Sequence, residues 1–255
     1  MDRRLALGAL GLATLLLAGC QSLGDREGHD ALRIEPVVKS AHEPGCSGDG
    51  CATVEAAYLR FPALPALSAE LEQRLFGLAG GITDGNASPR ATSFDAFAAS
   101  VFDAAAVEPR RDDGVPRYVV DLKAAIVADN RHTRVVELDG YLFSGGAHGL
   151  PLTEYMVIDR DSHQVVTLDD MLVPGQRPAY ARALTRAHQR WTTGDEIHVN
   201  PRDWPLSISD NAAPLAEGLA VKYQVYDLGP YAIGQPTLTI PYTELEGVLR
   251  ARYLP

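Results

Sequence analysis

The first twenty residues decide which part of this chain can take part in a fold at all. Arg3 and Arg4 precede an apolar run from Leu5 to Ala18, interrupted only by Gly8, Gly11 and Thr14. That run is 14 residues long, short of the roughly 20 that a helix needs to cross a hydrocarbon core. It ends in Leu17-Ala18-Gly19-Cys20, followed by the polar Gln21 and Ser22. A basic start, a short apolar stretch and small residues before a cleavage point describe a secretory signal. The Leu-Ala-Gly-Cys ending has the form of a bacterial lipobox, in which the cysteine is lipidated on sulfur and becomes the new amino terminus. Residues 1–19 then read as a lipoprotein signal peptide, and residues 20–31 as the lipidated Cys20 and a polar, glycine-bearing tether. Two or more acyl chains, at about 0.8 kcal/mol per buried methylene, anchor such a chain stably. Gln21 in the second mature position, by analogy with lipoprotein sorting, favours the outer membrane, with the domain facing the periplasm. Contact with the membrane is expected through the lipid alone.

Export also sets the redox chemistry. With Cys20 lipidated, two cysteines remain, in Gly45-Cys46-Ser47-Gly48-Asp49-Gly50-Cys51. An oxidising compartment and flexible glycines let so short a loop close, so a Cys46–Cys51 disulfide is expected. Two cysteines without clear further ligands make a poor metal site, and no metal or other cofactor is expected.

The whole chain carries a formal charge of −10. Removing residues 1–19 takes away Arg3, Arg4 and Asp2, leaving 21 basic against 32 acidic side chains, or −11. That surface argues against nucleic acid and against electrostatic attachment to anionic lipid. It suits a cationic partner, and equally serves plain solubility.

Beyond the tether, Leu32–Val38 and Ala52–Phe61 read as strands flanking the cysteine loop. Ser68 is placed to cap a helix running to about Ala79, with Leu71, Leu75 and Leu78 on one face. A second helix opens at Thr92 or Ser93 and carries Phe94, Phe97, Val101 and Phe102. Tyr118–Ala128 and Arg134–Phe143 read as long neighbouring strands turning at Asp129-Asn130. Leu152–Ile158 and Gln164–Leu168 form another hairpin. Thr167–Leu172 reads as a short capped turn and Pro178–Trp191 as a helix. Residues 192–217 promise little regular structure. Leu219–Tyr226 and Thr237–Ile240 are late strands, and Pro241 is expected to open a terminal helix. Helices and strands do not alternate regularly. The fold class is therefore α+β, one domain, with a mainly antiparallel sheet packed against a few helices.

Two stretches resemble a known family. The first is Gly140-Tyr141-Leu142-Phe143-Ser144-Gly145-Gly146-Ala147-His148-Gly149, running on to Ile158-Asp159 and Val166–Leu172. The second runs from Glu217 to Val221, through Tyr226-Asp227-Leu228-Gly229-Pro230-Tyr231-Ala232-Ile233-Gly234, to Thr239–Leu245. In this order they resemble the RsiV-like extracytoplasmic domain, found in the anti-sigma factor RsiV and in the non-catalytic amino-terminal part of the deacetylase PdaC. The resemblance assigns 136–255 to the core segment and 32–135 to its companion amino-terminal segment. It implies an envelope domain without an active site, and in the anti-sigma factor that domain is a receptor for lysozyme. Neither a cytoplasmic sigma-binding region nor a transmembrane helix is legible in this sequence, so the signalling role does not carry over.

Two segments are candidates for partner binding. Ser144, Gly145, Gly146 and His148 can form an exposed turn whose backbone approaches a partner closely; the alternative is a tight strand crossover held by His148. Tyr226, Gly229, Pro230 and Tyr231 can present two tyrosines, which offer large contact area at low entropy cost, on a stiff turn; the alternative is a loop with both rings packed inward. Ser144 lacks the Gly-x-Ser-x-Gly elbow and a legible triad partner. Asp169-Asp170 reads as a helix cap, and His132, His163, His188 and His198 as surface residues. No catalytic residue is assigned. The expected partner is a lysozyme-like protein of the envelope; a periplasmic toxin, met by an immunity protein, and peptidoglycan, met by an accessory protein, are the alternatives.

Overall fold

Two runs of alternating apolar residues, β3 (Val119–Asp129) and β4 (Thr133–Phe143), are the longest strands and organise the rest. The computed structural model describes residues 31–83, 91–107, 115–194 and 199–254; Cys20, the signal and most of the tether lie outside them. Strands β1 (Glu35–His42), β2 (Thr53–Arg60), β5 (Leu150–Asp159) and β6 (Val165–Val166) complete a sheet in the order β1-β2-β3-β4-β5-β6. Only β2 and β3 pair in parallel; the other neighbours are antiparallel. A parallel pair needs a long crossover, and α1 (Pro65–Thr83) and α2 (Phe94–Val107) lie in it. Residues 31–255 form one compact unit of the expected α+β class.

Because side chains alternate across a strand, β4 serves two cores. Val136, Leu138 and Leu142 meet Leu71, Leu75 and Phe76 of α1 and Phe97 of α2, with the Phe76 and Phe97 rings stacked at 5.4 Å. On the opposite face, Val135 and Val157 pack with Tyr180 and Leu184 of α4 (Arg177–Thr192) and with a second sheet. That sheet is β7 (Ala212–Leu215), β8 (Gly218–Lys222) and β9 (Thr237–Ile240), all antiparallel. Gly218 is required there, because a Cβ would stand 2.2 Å from the Ile240 carbonyl oxygen.

The second layer covers only part of its face. β8 stops at Lys222, whose ammonium pairs with Glu137 and lies 3.5 Å from Asp139. Beyond that pair, the same face of β1–β3 leaves Val38 79% exposed, and Glu55, Ala57 and Lys123 are exposed beside it.

Several elements differ from the sequence expectations for identifiable reasons. The first strand is Glu35–His42 rather than 32–38, and Leu32 is buried instead in the α1/α2 core. Helix α1 starts at Pro65, the favoured first helical position. Ser68 therefore lies inside it and uses its hydroxyl to bond Phe61 N and O. Ser93 does cap α2, accepting from Ala96 N at 3.2 Å. The Thr167–Leu172 turn is helix α3 (Leu168–Met171) with a reciprocal cap between Thr167 and Asp170. Residues 192–217 contain β7, too short to announce itself by periodicity. The late strand expected to reach Tyr226 ends at Lys222. No terminal α-helix forms: Tyr242–Glu244 and Ala251–Tyr253 are 3-10 turns, and Gly247 adopts φ +71° between them. Leu245, Val248 and Leu249 still point inward, because the tail hydrogen-bonds across chain, Val173 N to Val248 O and Arg250 N to Met171 O, instead of within a helix.

Candidate binding site

The two candidate segments, about eighty residues apart in sequence, meet in one exposed aromatic cluster. β4 ends at Phe143 and the chain turns through Ser144–Gly149 into β5. Gly145 and Gly146 both hold left-handed backbone, φ +92° and +95°, which only glycine adopts at little cost. The turn presents His148, whose ring stacks on Tyr231 with centroids 3.7 Å apart. Its nitrogens are both engaged: Nδ1 lies 3.3 Å from Gly149 O and Nε2 lies 3.5 Å from Tyr226 Oη. A carbonyl can only accept, so the Gly149 contact calls for the proton on Nδ1, which leaves Nε2 to accept a hydrogen bond from the Tyr226 hydroxyl. The Tyr231 hydroxyl donates to the same Gly149 carbonyl at 2.8 Å. Ser144 is exposed, and neither histidine nitrogen turns to it.

The second segment is folded for display. Gln224 N donates to the Asp227 carboxylate at 2.9 Å and Asp227 N to Gln224 O at 3.2 Å, closing a turn over Val225-Tyr226. Val225 is buried beneath the turn and Tyr226 stands out, 46% exposed. Tyr226 has φ +69°, a conformation that costs a non-glycine residue about 1–2 kcal/mol. Its ring centroid lies 5.9 Å from that of Tyr231. Gly229 is buried and serves the loop's interior, since a Cβ would come within 2.7 Å of Ile233 Cγ1. Pro230 is exposed and leads into the 3-10 turn Tyr231–Ile233.

Three residues that the sequence does not single out complete the site. Tyr141 on β4, 38% exposed, lays its ring end against Gly149, where a Cβ would stand 2.3 Å from Tyr141 Cζ. Its place on the outward phase of β4, with Glu137 and Asp139, was the available signal. Gln224 and Asn211 fasten the tyrosine loop to β5 through side-chain amides, and side-chain-to-backbone bonds across such distances leave no trace in a sequence pattern. Below the cluster, burial and then the negative charge of Glu137 push the Tyr155 hydroxyl up to about 12.

Other sequence candidates are placed plainly. Cys46 and Cys51 form a disulfide closing the β1–β2 connection. Asp169 and Asp170 sit in the first turn of α3 as cap residues. His188 is buried, not on the surface: α4 turns it inward, where its ring stacks on Trp191 at 5.8 Å. His198 lies outside the described residues. Among the described residues, no group of His, Cys, Asp or Glu could hold a metal ion, and no helix is long and apolar enough to cross a membrane.

Fold and site together define an α+β domain that displays an aromatic cluster beside a partly uncovered sheet. The chain belongs to the DUF3298 family, described as a protein of unknown function, whose sequence profile matches residues 169–243. That stretch includes the tyrosine loop and not the Ser144–His148 turn. A crystal structure of a DUF3298 family protein from Pseudomonas aeruginosa PAO1 is similar at 30% identity and TM-score 0.75, covering 88% of this chain and 97% of that one. A DUF3298 member from Bacteroides fragilis NCTC 9343 shares the fold at 16% identity and TM-score 0.60, covering 87% and 95%. No curated protein matches the chain.

Proposed function

We propose that this chain is an RsiV-like binding protein of the bacterial envelope, anchored by a lipid on Cys20 at the outer membrane and facing the periplasm. Its partner is a cationic, wall-degrading protein of the lysozyme kind, held at the joined Ser144–His148 and Tyr226–Tyr231 loops. The observation that carries this reading is the stack of His148 on Tyr231 at 3.7 Å, with Tyr226 beside it. Two motifs that resemble a lysozyme receptor stand in contact, with Tyr226 and His148 exposed and Tyr231 half-exposed between them. Large rigid rings at an exposed, strained turn are the residue types that dominate protein interfaces. The net charge of −10 suits a basic partner and speeds encounter with it.

The test is calorimetric titration of residues 21–255, which contain the whole compact unit, with hen and human lysozyme at physiological salt. Saturable binding at micromolar or tighter affinity, lost in Tyr226→Ala and Tyr231→Ala variants that remain folded, supports the reading. Absence of heat with either lysozyme removes it and leaves a shared fold; sedimentation with purified sacculi then addresses peptidoglycan.

A further inference from the structure

The exposed rings are not the end of the available surface. Strand register sets a continuous cross-strand row from the cluster into the uncovered part of the large sheet. Tyr141 pairs with Asp121 on β3, Asp121 with Glu55 on β2, and Glu55 with Ser40 on β1. All four side chains share the face that the second sheet leaves bare, because Val120, Leu122, Ala56 and Leu142 take the other face into the α1/α2 core. The adjacent row on this face holds Val38, Ala57 and Lys123, and it lines a shallow groove of about 390 Å³ together with Ser40, Glu55 and Asp121.

Two properties of this groove are costly for a surface that only meets water. Val38 holds a large aliphatic side chain 79% exposed in the middle of a strand. Asp121 and Glu55 are cross-strand neighbours of like charge, an arrangement that destabilises a sheet. Neither carboxylate forms an ion pair among the described residues. Burial and then the Glu55 charge raise the Asp121 pKa, while Lys123 only partly offsets them. An apolar floor beside two carboxylates that Lys123 only partly balances matches a basic protein surface that brings both aliphatic stems and positive charge, as lysine and arginine do.

We infer that the Val38–Glu55–Asp121 face is the second half of the binding surface, on which the basic side chains of the cationic protein held at the tyrosine cluster come to rest. This rests on the proposed function and adds to it the direction in which the interface extends. Glu55 and Asp121 steer the encounter, and Val38 receives the apolar stems.

Stopped-flow association of residues 21–255 with hen lysozyme over a range of salt tests this. The Glu55→Gln/Asp121→Asn double variant is expected to associate about fivefold more slowly at low ionic strength, the difference vanishing at high salt as screening removes steering. Its thermal midpoint is expected to rise, since the like-charge pair is gone, so the slower association cannot come from a damaged fold. A Val38→Lys variant, which adds a second positive charge to the groove beside Lys123, is expected to slow association further and speed dissociation. If the unaltered protein binds but both variants keep its rates at every salt concentration, the inference is overturned while the tyrosine-loop reading stands. If the unaltered protein does not bind, both fall together.

Discussion

The side-chain amide of Gln224 pairs with the backbone of Thr153 from both ends. Its Oε1 accepts from Thr153 N at 3.1 Å and its Nε2 donates to Thr153 O at 2.6 Å. Asn211 works beside it, accepting from Tyr155 N at 2.7 Å and donating to Thr153 O at 3.4 Å and to Lys222 O at 3.2 Å. The free edge of β5 is thus closed by two side chains where a strand would otherwise add, which protects it from stray pairing. The same bonds fix the tyrosine loop, since Gln224 opens the turn that carries Tyr226.

A Gln224→Ala variant is therefore expected to lose about 1–2 kcal/mol, the cost of leaving partly buried peptide groups unpaired. Hydrogen exchange at the Thr153 amide is expected to quicken roughly tenfold, as local opening becomes easier. Protection at β3 and β4 amides should be unchanged. An unaltered Thr153 exchange rate in the variant would show that the amide bridge contributes nothing to holding this edge.

Tyr226 sets backbone comfort against display. At φ +69° the glycine variant escapes a penalty that the alanine variant keeps. Urea denaturation is expected to find Tyr226→Gly about 1 kcal/mol more stable than Tyr226→Ala, while both lose the ring and weaken lysozyme binding alike. Equal stability of the two would mean that the turn relaxes out of the left-handed region once the ring is removed.

The large sheet and the helices were legible because their signals are local. Alternation in 119–143, the leucine and phenylalanine spacing of α1 and α2, and the Thr167–Asp170 cap need no knowledge of the rest of the chain. The terminal segment misled because Leu245, Val248 and Leu249 have helical spacing, yet the same three residues can bury themselves from 3-10 turns once Val248 and Arg250 bond to the α3–α4 connection. Ser144–His148 and Tyr226–Tyr231 were legible as two segments and not as one site. What joins them is the height at which the second sheet docks on β4 and β5, and that depends on contacts such as Gln224–Thr153. Tyr141, Glu55 and Asp121 share a row only through the register of three strands, one pair of them parallel.

The Cys46–Cys51 bridge spans a separation of five residues. A ring of that size removes little freedom from the unfolded chain, so the Cys46→Ser/Cys51→Ser double variant is expected to lose about 2 kcal/mol. Reducing agent should lower the denaturation midpoint of the unaltered protein to that of the variant and leave the variant unmoved. Register puts this connection two strands from the Phe143 end of β4, where the Ser144–His148 turn begins, so lysozyme affinity is a second readout: a large fall on reduction would mean that the β1–β2 connection shapes the interface itself, and an unchanged affinity that it does not.

His188 makes stability depend on pH in a defined direction. Its Nε2 is buried without a hydrogen-bond partner among the described residues, and burial holds the imidazole below the usual histidine pKa. Well above the ordinary histidine pKa of about 6.5 the ring is neutral whether the chain is folded or not, so it adds no slope. As the pH falls below that value, the unfolded chain takes a proton that the folded chain resists, and stability falls until the lower folded pKa is passed. Urea midpoints measured between about pH 8 and pH 5 should therefore decline on the acid side, and the decline should be shallower in His188→Gln, which cannot take the proton. Carboxylates held low by hydrogen bonds, such as Asp159, lose their stabilising effect nearer pH 4, the ordinary carboxylate range, so the two contributions separate. An unchanged slope in the variant would mean that α4 opens to admit water to His188 before it is protonated.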